Sequence, residues 1–138
     1  MTTKPLKILL AADNPERMRD LSDALQKHQA ITVNSVATPQ QALSAIKSTA
    51  VDVLVVDETL LETSGLQFIK EVVGTYPLIN CALVSPLAPE EFHETTEGLG
   101  LFMQLPPRPG AETAAQMIGI LDKIYGLLAI ADTDRRKS

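Results

Sequence analysis

The run Val51-Asp52-Val53-Leu54-Val55-Val56-Asp57 constrains this chain more than any other stretch. Four of the five residues from Val53 to Asp57 are apolar, and three are valines. A short, β-branched run with polar residues after it reads as a strand buried on both faces. The run ends on a carboxylate. In open parallel sheets, ligands bind outside the carboxyl ends of the strands, so Asp57 stands where such a fold does its chemistry. From this strand alone, a side chain that merely caps the next turn explains Asp57 equally well. The other strands decide.

Leu6 to Ala12 reads as a first strand. Asn14 then offers an N-cap and Pro15 suits the first helical position. Met18, Leu21 and Leu25 give that helix a buried face, and it fades near Lys27-His28. His28 reads as a solvated helix-end residue. Ile31 to Val36 is a second strand, and Thr38-Pro39 repeats the cap-plus-proline signal before Ala42, Leu43 and Ile46. The opening run is the third strand. Ser64-Gly65 precedes a third helix, with Leu66, Ile69, Val72 and Val73 predicted to face inward. Gly74 and Tyr76-Pro77 close it. Leu78 to Ser85 reads as a fourth strand, Pro89 to Gly98 as a short acidic helix, and Leu101 to Leu105 as a fifth strand. A last helix is predicted from about Ala111 to Ala131, with a polar tail over 132–138 that should fray.

Five strands alternating with five helices must run parallel through right-handed crossovers. The result is a doubly wound α/β domain of flavodoxin-like size, with five strands in the order 2-1-3-4-5 and one domain over 1–131. The length, 138 residues, suits one core. A net charge of −5 argues against a nucleic-acid binder. A single cysteine, Cys81, excludes an intrachain disulfide and reads as a small buried hydrophobe. Neither a signal peptide nor a stretch of transmembrane length is visible, so the expected location is cytoplasmic, without membrane contact.

The strand ends carry Asp13, Asp57 and Ser85. With strands one and three as neighbours, Asp13 and Asp57 should face each other across a shallow cleft. Two close carboxylates suit a hard cation such as Mg²⁺. Asp57 is then able to act as a carboxylate nucleophile toward a phosphoryl group, with Ser85 donating to a phosphate oxygen.

The order and spacing of these residues resemble the receiver domain of two-component response regulators over essentially the whole chain. Lys7 to Pro15 resembles the family's first strand and its acidic end. Val53 to Asp57, followed eight residues later by Gly65, resembles the phosphoacceptor strand and loop. Ser85 falls on the Ser/Thr switch position, and Gly98 to Pro106 resembles the segment carrying an aromatic switch residue, here Phe102. The resemblance implies a CheY-like, stand-alone module in a phosphorelay. Asp57 would be the phosphoacceptor. Mg²⁺ would be held by Asp13, Asp57 and the backbone carbonyl of Thr59, and Ser85 and Phe102 would move together. The donor would be a histidine kinase or phosphotransfer protein. The chain would not be an enzyme beyond Mg-dependent self-phosphorylation and dephosphorylation at Asp57.

Two residues depart from the family pattern. Ala12 replaces one acid of a usual pair, and Leu105 replaces the lysine that pairs with the phosphoryl group. A leucine does not substitute for a point charge. Leu61 also stands where a proline is common. The first two losses remove one negative and one positive charge, so the resting site keeps its net charge. Arg108, three residues past Leu105, is a candidate to reach back in the lysine's place.

The last helix carries Met117, Leu121, Ile124 and Leu128 on one side, with Ile118 and Tyr125 adjacent. Ile120, Leu127 and Ala131 widen the apolar arc beyond the usual core stripe of about 100°. Either the helix is deeply sunk, or it offers a face to a downstream protein partner or a second copy. His93, on the short fourth helix, reads as exposed or as lying near that face. Two rival functions share the fold. One is a phosphorylation-independent pseudo-receiver that binds protein. The other is a small flavin or nucleotide enzyme, disfavoured because Ala12-Asp13-Asn14-Pro15 contains no phosphate-cradling glycine.

Overall fold

The computed structural model describes residues 5–127. In chain order these form β1 (Leu6–Ala11), a 3₁₀ turn (Pro15–Met18), α1 (Arg19–Gln26), β2 (Ile31–Val36), α2 (Pro39–Ser48) and β3 (Val53–Val56). A two-residue ladder of β4 (Thr59–Leu60) and β5 (Thr63–Ser64) follows. Then come α3 (Gly65–Thr75), β6 (Asn80–Val84), α4 (Pro89–Thr95), β7 (Met103–Leu105) and α5 (Ala111–Tyr125). The main sheet runs β2-β1-β3-β6-β7 with every pairing parallel. This is the expected 2-1-3-4-5 order, with the small ladder interpolated after the third strand.

Successive strand side chains point to opposite faces, and that parity sorts the core into two layers. Ile8, Leu10, Val53, Val55, Ala82 and Val84 pack with Met18, Leu21 and Leu25 of the first turn and α1, and with Ala114, Met117 and Leu121 of α5. Leu9, Leu54, Val56, Cys81 and Leu83 pack with α2, α3 and Phe92 of α4. Because β3 is buried on both faces, its sequence needs no polar alternation, which is why it reads as an unbroken apolar run.

The caps hold where they are legible. Thr38 Oγ1 accepts from the Gln41 N–H at 3.0 Å, and Ser64 Oγ from the Gln67 N–H at 3.1 Å. Asn14 accepts from the Glu16 N–H at 3.2 Å, but the turn it opens is 3₁₀, and the α-helix starts only at Arg19.

Several boundaries differ from expectation. The fourth strand starts at Asn80, not Leu78. Leu78 is 93% exposed in the turn that follows Tyr76-Pro77, where the Ile79 N–H returns to the Tyr76 carbonyl at 3.2 Å. The fifth strand is only Met103–Leu105, because Gly98 and Gly100 both take positive φ in the approach to it. On α3 the buried stripe is Gly65, Phe68, Ile69 and Val72, while Leu66 and Val73 are half-buried. The last helix closes at Gly126, whose φ of 71° is the left-handed cap that glycine tolerates. The predicted continuation through Leu128 to Ala131, and the tail beyond it, lie outside the described residues.

α5 is anchored rather than free. Met117 and Leu121 are fully buried, and Tyr125 Oη accepts from Asn80 Nδ2 at 2.6 Å. Ile124 departs from the predicted stripe: at 48% exposed it belongs to the outer surface. No helix among the described residues is long and apolar enough to cross a membrane.

Cys81 lies in the α2/α3-side core, and burial pushes its thiol up from 9.0 to about 12. Above pH 9.0 the unfolded chain has lost this proton while the folded one keeps it. Stability attributable to Cys81 is therefore complete below that pH and falls as pH rises toward 12, by up to about 1.4 kcal/mol per unit. Urea melts of Cys81→Ala should show a flatter decline above pH 9.0 than the parent chain. Parallel declines would contradict the assignment.

Candidate functional site

Asp57 continues the parity of Val53 and Val55, so it extends from β3 on the side of the 3₁₀ turn and α1. Its N–H donates to the Ala11 carbonyl at 2.8 Å, carrying the β1–β3 pairing one residue past the strand. The chain then turns sharply. The Glu58 N–H donates to Asp57 Oδ1 at 2.8 Å, and the Glu58 carbonyl accepts from the Gly65 N–H at 2.9 Å. Between them the β4–β5 ladder loops out through Leu61 and Glu62, the latter at φ 73°. Thr59 Oγ1 donates to Asp13 Oδ2 at 3.3 Å, tying this loop to the end of β1.

Asp57 is 1% exposed and is the one buried charged residue among the described ones. A buried carboxylate needs a cation or strong donors. The cation is Arg17, in the 3₁₀ turn. Its Nε lies 2.8 Å from Asp57 Oδ2, and its Nη2 lies 3.5 Å from Oδ1. The same Nη2 is 4.0 Å from Glu58 Oε1. Arg17 is 26% exposed, so the pair is open to water on one side. Sequence reasoning missed Arg17. Its one signal was its position, four residues past Asp13 on the turn that leaves the first strand.

Arg108, the candidate substitute for the lysine, does not serve. It is exposed at φ 52° and makes no side-chain hydrogen bond or ion pair among the described residues. Ala12 and Leu105 are both buried, at 2% and 0% exposed, in the same apolar cluster as Met18. Both positions contribute hydrocarbon to the core and no charge to the site.

Ser85 is nearly buried, and its Oγ accepts from the Leu87 N–H at 3.2 Å. Gln104 Nε2 staples that loop to β7, donating to the Ser85 carbonyl at 3.1 Å and the Leu87 carbonyl at 2.7 Å. Phe102 is half-buried against the α1/α5-side cluster. His28 Nδ1 accepts from the Ala30 N–H at 3.1 Å and holds the turn into β2, and His93 is exposed with its ring near Phe92.

Asp13, Asp57 and the Thr59 carbonyl are oxygen donors of the type that Mg²⁺ takes, set at two adjacent strand ends. In kind they fit such an ion, with Asp13 exposed and Thr59 already beside it. Among the described residues no cluster of three acids, histidines or cysteines completes the set. Both Asp57 oxygens are also already hydrogen-bonded.

A family model described as the response regulator receiver domain matches residues 8–107. A protein-glutamate methylesterase/protein-glutamine glutaminase 2 from Vibrio vulnificus is 29% identical over 121 residues, covering 86% of this chain and 35% of that protein. The chain thus spans about a third of that relative's length. The chemotaxis response regulator CheY4 of Vibrio cholerae superposes with a TM-score of 0.73 at 19% identity, covering 84% of this chain and 98% of that one. A signal receiver domain of an HD domain-containing protein from Pseudomonas fluorescens Pf-5 gives 0.70 at 16%, covering 100% and 97%.

Gly65 sets how tightly the loop closes behind the carboxylate. A Cβ there would lie 2.0 Å from the Asp57 carbonyl oxygen and 3.0 Å from Leu83 Cδ1. The first neighbour is backbone and cannot swing aside. Gly65→Ala should therefore lower stability in urea melts by about 1–3 kcal/mol, as overpacking does. It should also shift the Glu58 amide resonance. An unchanged midpoint and resonance would show that the loop is looser than these distances require.

Proposed function

This chain belongs to the response regulator receiver domain family of two-component signalling, and on that premise we propose that Asp57 accepts a phosphoryl group and thereby alters protein contacts. The observation that carries the reading is the burial of a single carboxylate at the ligand-binding end of the central strand. Burying a charge there is costly, and a strand end with hydrogen-bonded oxygens is where a nucleophile is positioned rather than where a core is stabilised.

In the proposed reaction an Asp57 oxygen attacks phosphorus of a phosphohistidine on a histidine kinase or phosphotransfer protein. The P–N bond breaks, its electron pair stays with the leaving imidazole, and an acyl phosphate remains on Asp57. The β3 ladder and the Glu58 N–H orient the nucleophile. Asp13, Asp57 and the Thr59 carbonyl would hold Mg²⁺, which when bound offsets charge on the phosphoryl oxygens. Ser85 Oγ, which accepts from the Leu87 N–H, would donate its own O–H to the phosphoryl group, and Phe102 would repack with it. The chain is then a signalling module rather than an enzyme, apart from forming and losing its own acyl phosphate. Its output would pass to a downstream protein or a second copy through α5.

A second reading, a phosphorylation-independent protein-binding module, draws on one observation: Ala12 and Leu105 turn the floor of the site into apolar core. Intact-protein mass separates the two. Incubation with acetyl phosphate and Mg²⁺ should give a phosphoryl adduct that is absent from Asp57→Asn and from a sample containing EDTA. A folded protein that stays unmodified with acetyl phosphate and with phosphorylated kinases would favour the binding module.

A further inference from the structure

We propose that Arg17 is a built-in cation that competes with a divalent metal for Asp57, so that the site carries its own resting counter-charge. The inference rests on the metal set named above. Three observations support it. Arg17 approaches Asp57 with two nitrogens, at 2.8 and 3.5 Å, so a metal ligated by Asp57 would share its oxygens with a cation already in place. The acid that would strengthen the metal's side of that contest is Ala12, buried and without an oxygen to offer. A second carboxylate is already within reach of the guanidinium, since Glu58 Oε1 lies 4.0 Å from Nη2.

The exchange needs only side-chain motion. Met18 is locked in the core beside Arg17, and Asn14 caps the turn, so the backbone of Pro15–Met18 stays in place. The guanidinium leaves the Asp57 oxygens and swings onto Glu58. Asp13, exposed and bonded to Thr59, takes the metal from the other side. Two cations on one carboxylate repel, and this makes the states exclusive. A metal-free chain is then not a chain with an unpaired buried charge, which accounts for a fully buried Asp57 beside an apolar floor.

The test uses the full chain. Mn²⁺ is the probe, a hard divalent ion suited to the same oxygen donors. The amplitude of the free-ion EPR spectrum reports binding, and added Mg²⁺ checks that it displaces the probe. Arg17→Gln should bind Mn²⁺ at least about tenfold more tightly than the parent chain, the weight of a charge-assisted hydrogen bond. Arg17→Lys, which keeps the charge but loses the two-nitrogen grip, should fall between them. Asp57→Asn should abolish the difference. In a Mg²⁺ titration of the parent chain the Arg17 Nε–H resonance should shift with the Mg²⁺ affinity that the Mn²⁺ displacement gives, as expected if the guanidinium leaves Asp57 when the metal binds. Equal affinity in the parent chain, Arg17→Gln and Arg17→Lys would overturn the competition and leave the metal set standing. Absence of binding in all of them would remove the metal set and the competition together, whatever the phosphorylation assay returns.

Discussion

A carboxylate is held almost out of water at the end of the central strand, and the surrounding structure is arranged to make that tolerable. Asp57 draws on one backbone N–H, from Glu58, and on the guanidinium of Arg17. Both depend on chain turns that exist for that purpose. The first needs Gly65, since any side chain there would collide with the Asp57 carbonyl. The second needs the 3₁₀ turn, which brings Arg17 back over the sheet before α1 begins. The site is therefore specified by two loops, one leaving β1 and one leaving β3, the arrangement by which parallel sheets position their chemistry.

The two-layer core gives that strand its rigidity. Val53 and Val55 are clamped under α1 and α5, while Leu54 and Val56 are clamped over α2 and α3. Asp52 and Asp57 bound the apolar run, so a one-residue slip of β3 would draw a carboxylate into the sheet. Its neighbour β1 adds a backbone tie beyond each end of the strand. The Asp52 N–H bonds to the Lys7 carbonyl at one end, and the Asp57 N–H to the Ala11 carbonyl at the other. The position of the carboxylate is thus an outcome of hydrophobic packing at a distance from it.

This explains which parts were legible in the sequence. Strands buried on both faces, and helices opened by Thr38-Pro39 or Ser64-Gly65, carry their signal within a few residues, and the main sheet follows from their order. Features that depend on where a turn points in space carry no such signal. Arg17 looks like any charged residue near a helix start. Its role becomes visible only when the 3₁₀ turn Pro15–Met18 brings it to Asp57, while Arg108, three residues past Leu105, is exposed. Leu78 is apolar and next to a strand, yet it is exposed because the turn after Pro77 holds it out. Phe68 was passed over for Leu66 and Val73, although its spacing from Gly65, Ile69 and Val72 traces the stripe that faces the sheet.

Ala12 and Leu105 are apolar side chains in a shared cluster, and the site's positive charge arrives from the 3₁₀ turn. The element matters because of what it touches. β7 leads through Gln104 to the Ser85 loop. The 3₁₀ turn leads through Met18 into the α1/α5 layer, where α1 packs beside α5. Arg17 thereby connects Asp57 to the α1 side of the molecule. The Ser85–Gln104 connection lies on the other side of the carboxylate, tied to backbone carbonyls rather than to the cation. The counter-charge of Asp57 and the Ser85 loop thus hang from separate elements, the 3₁₀ turn and β7.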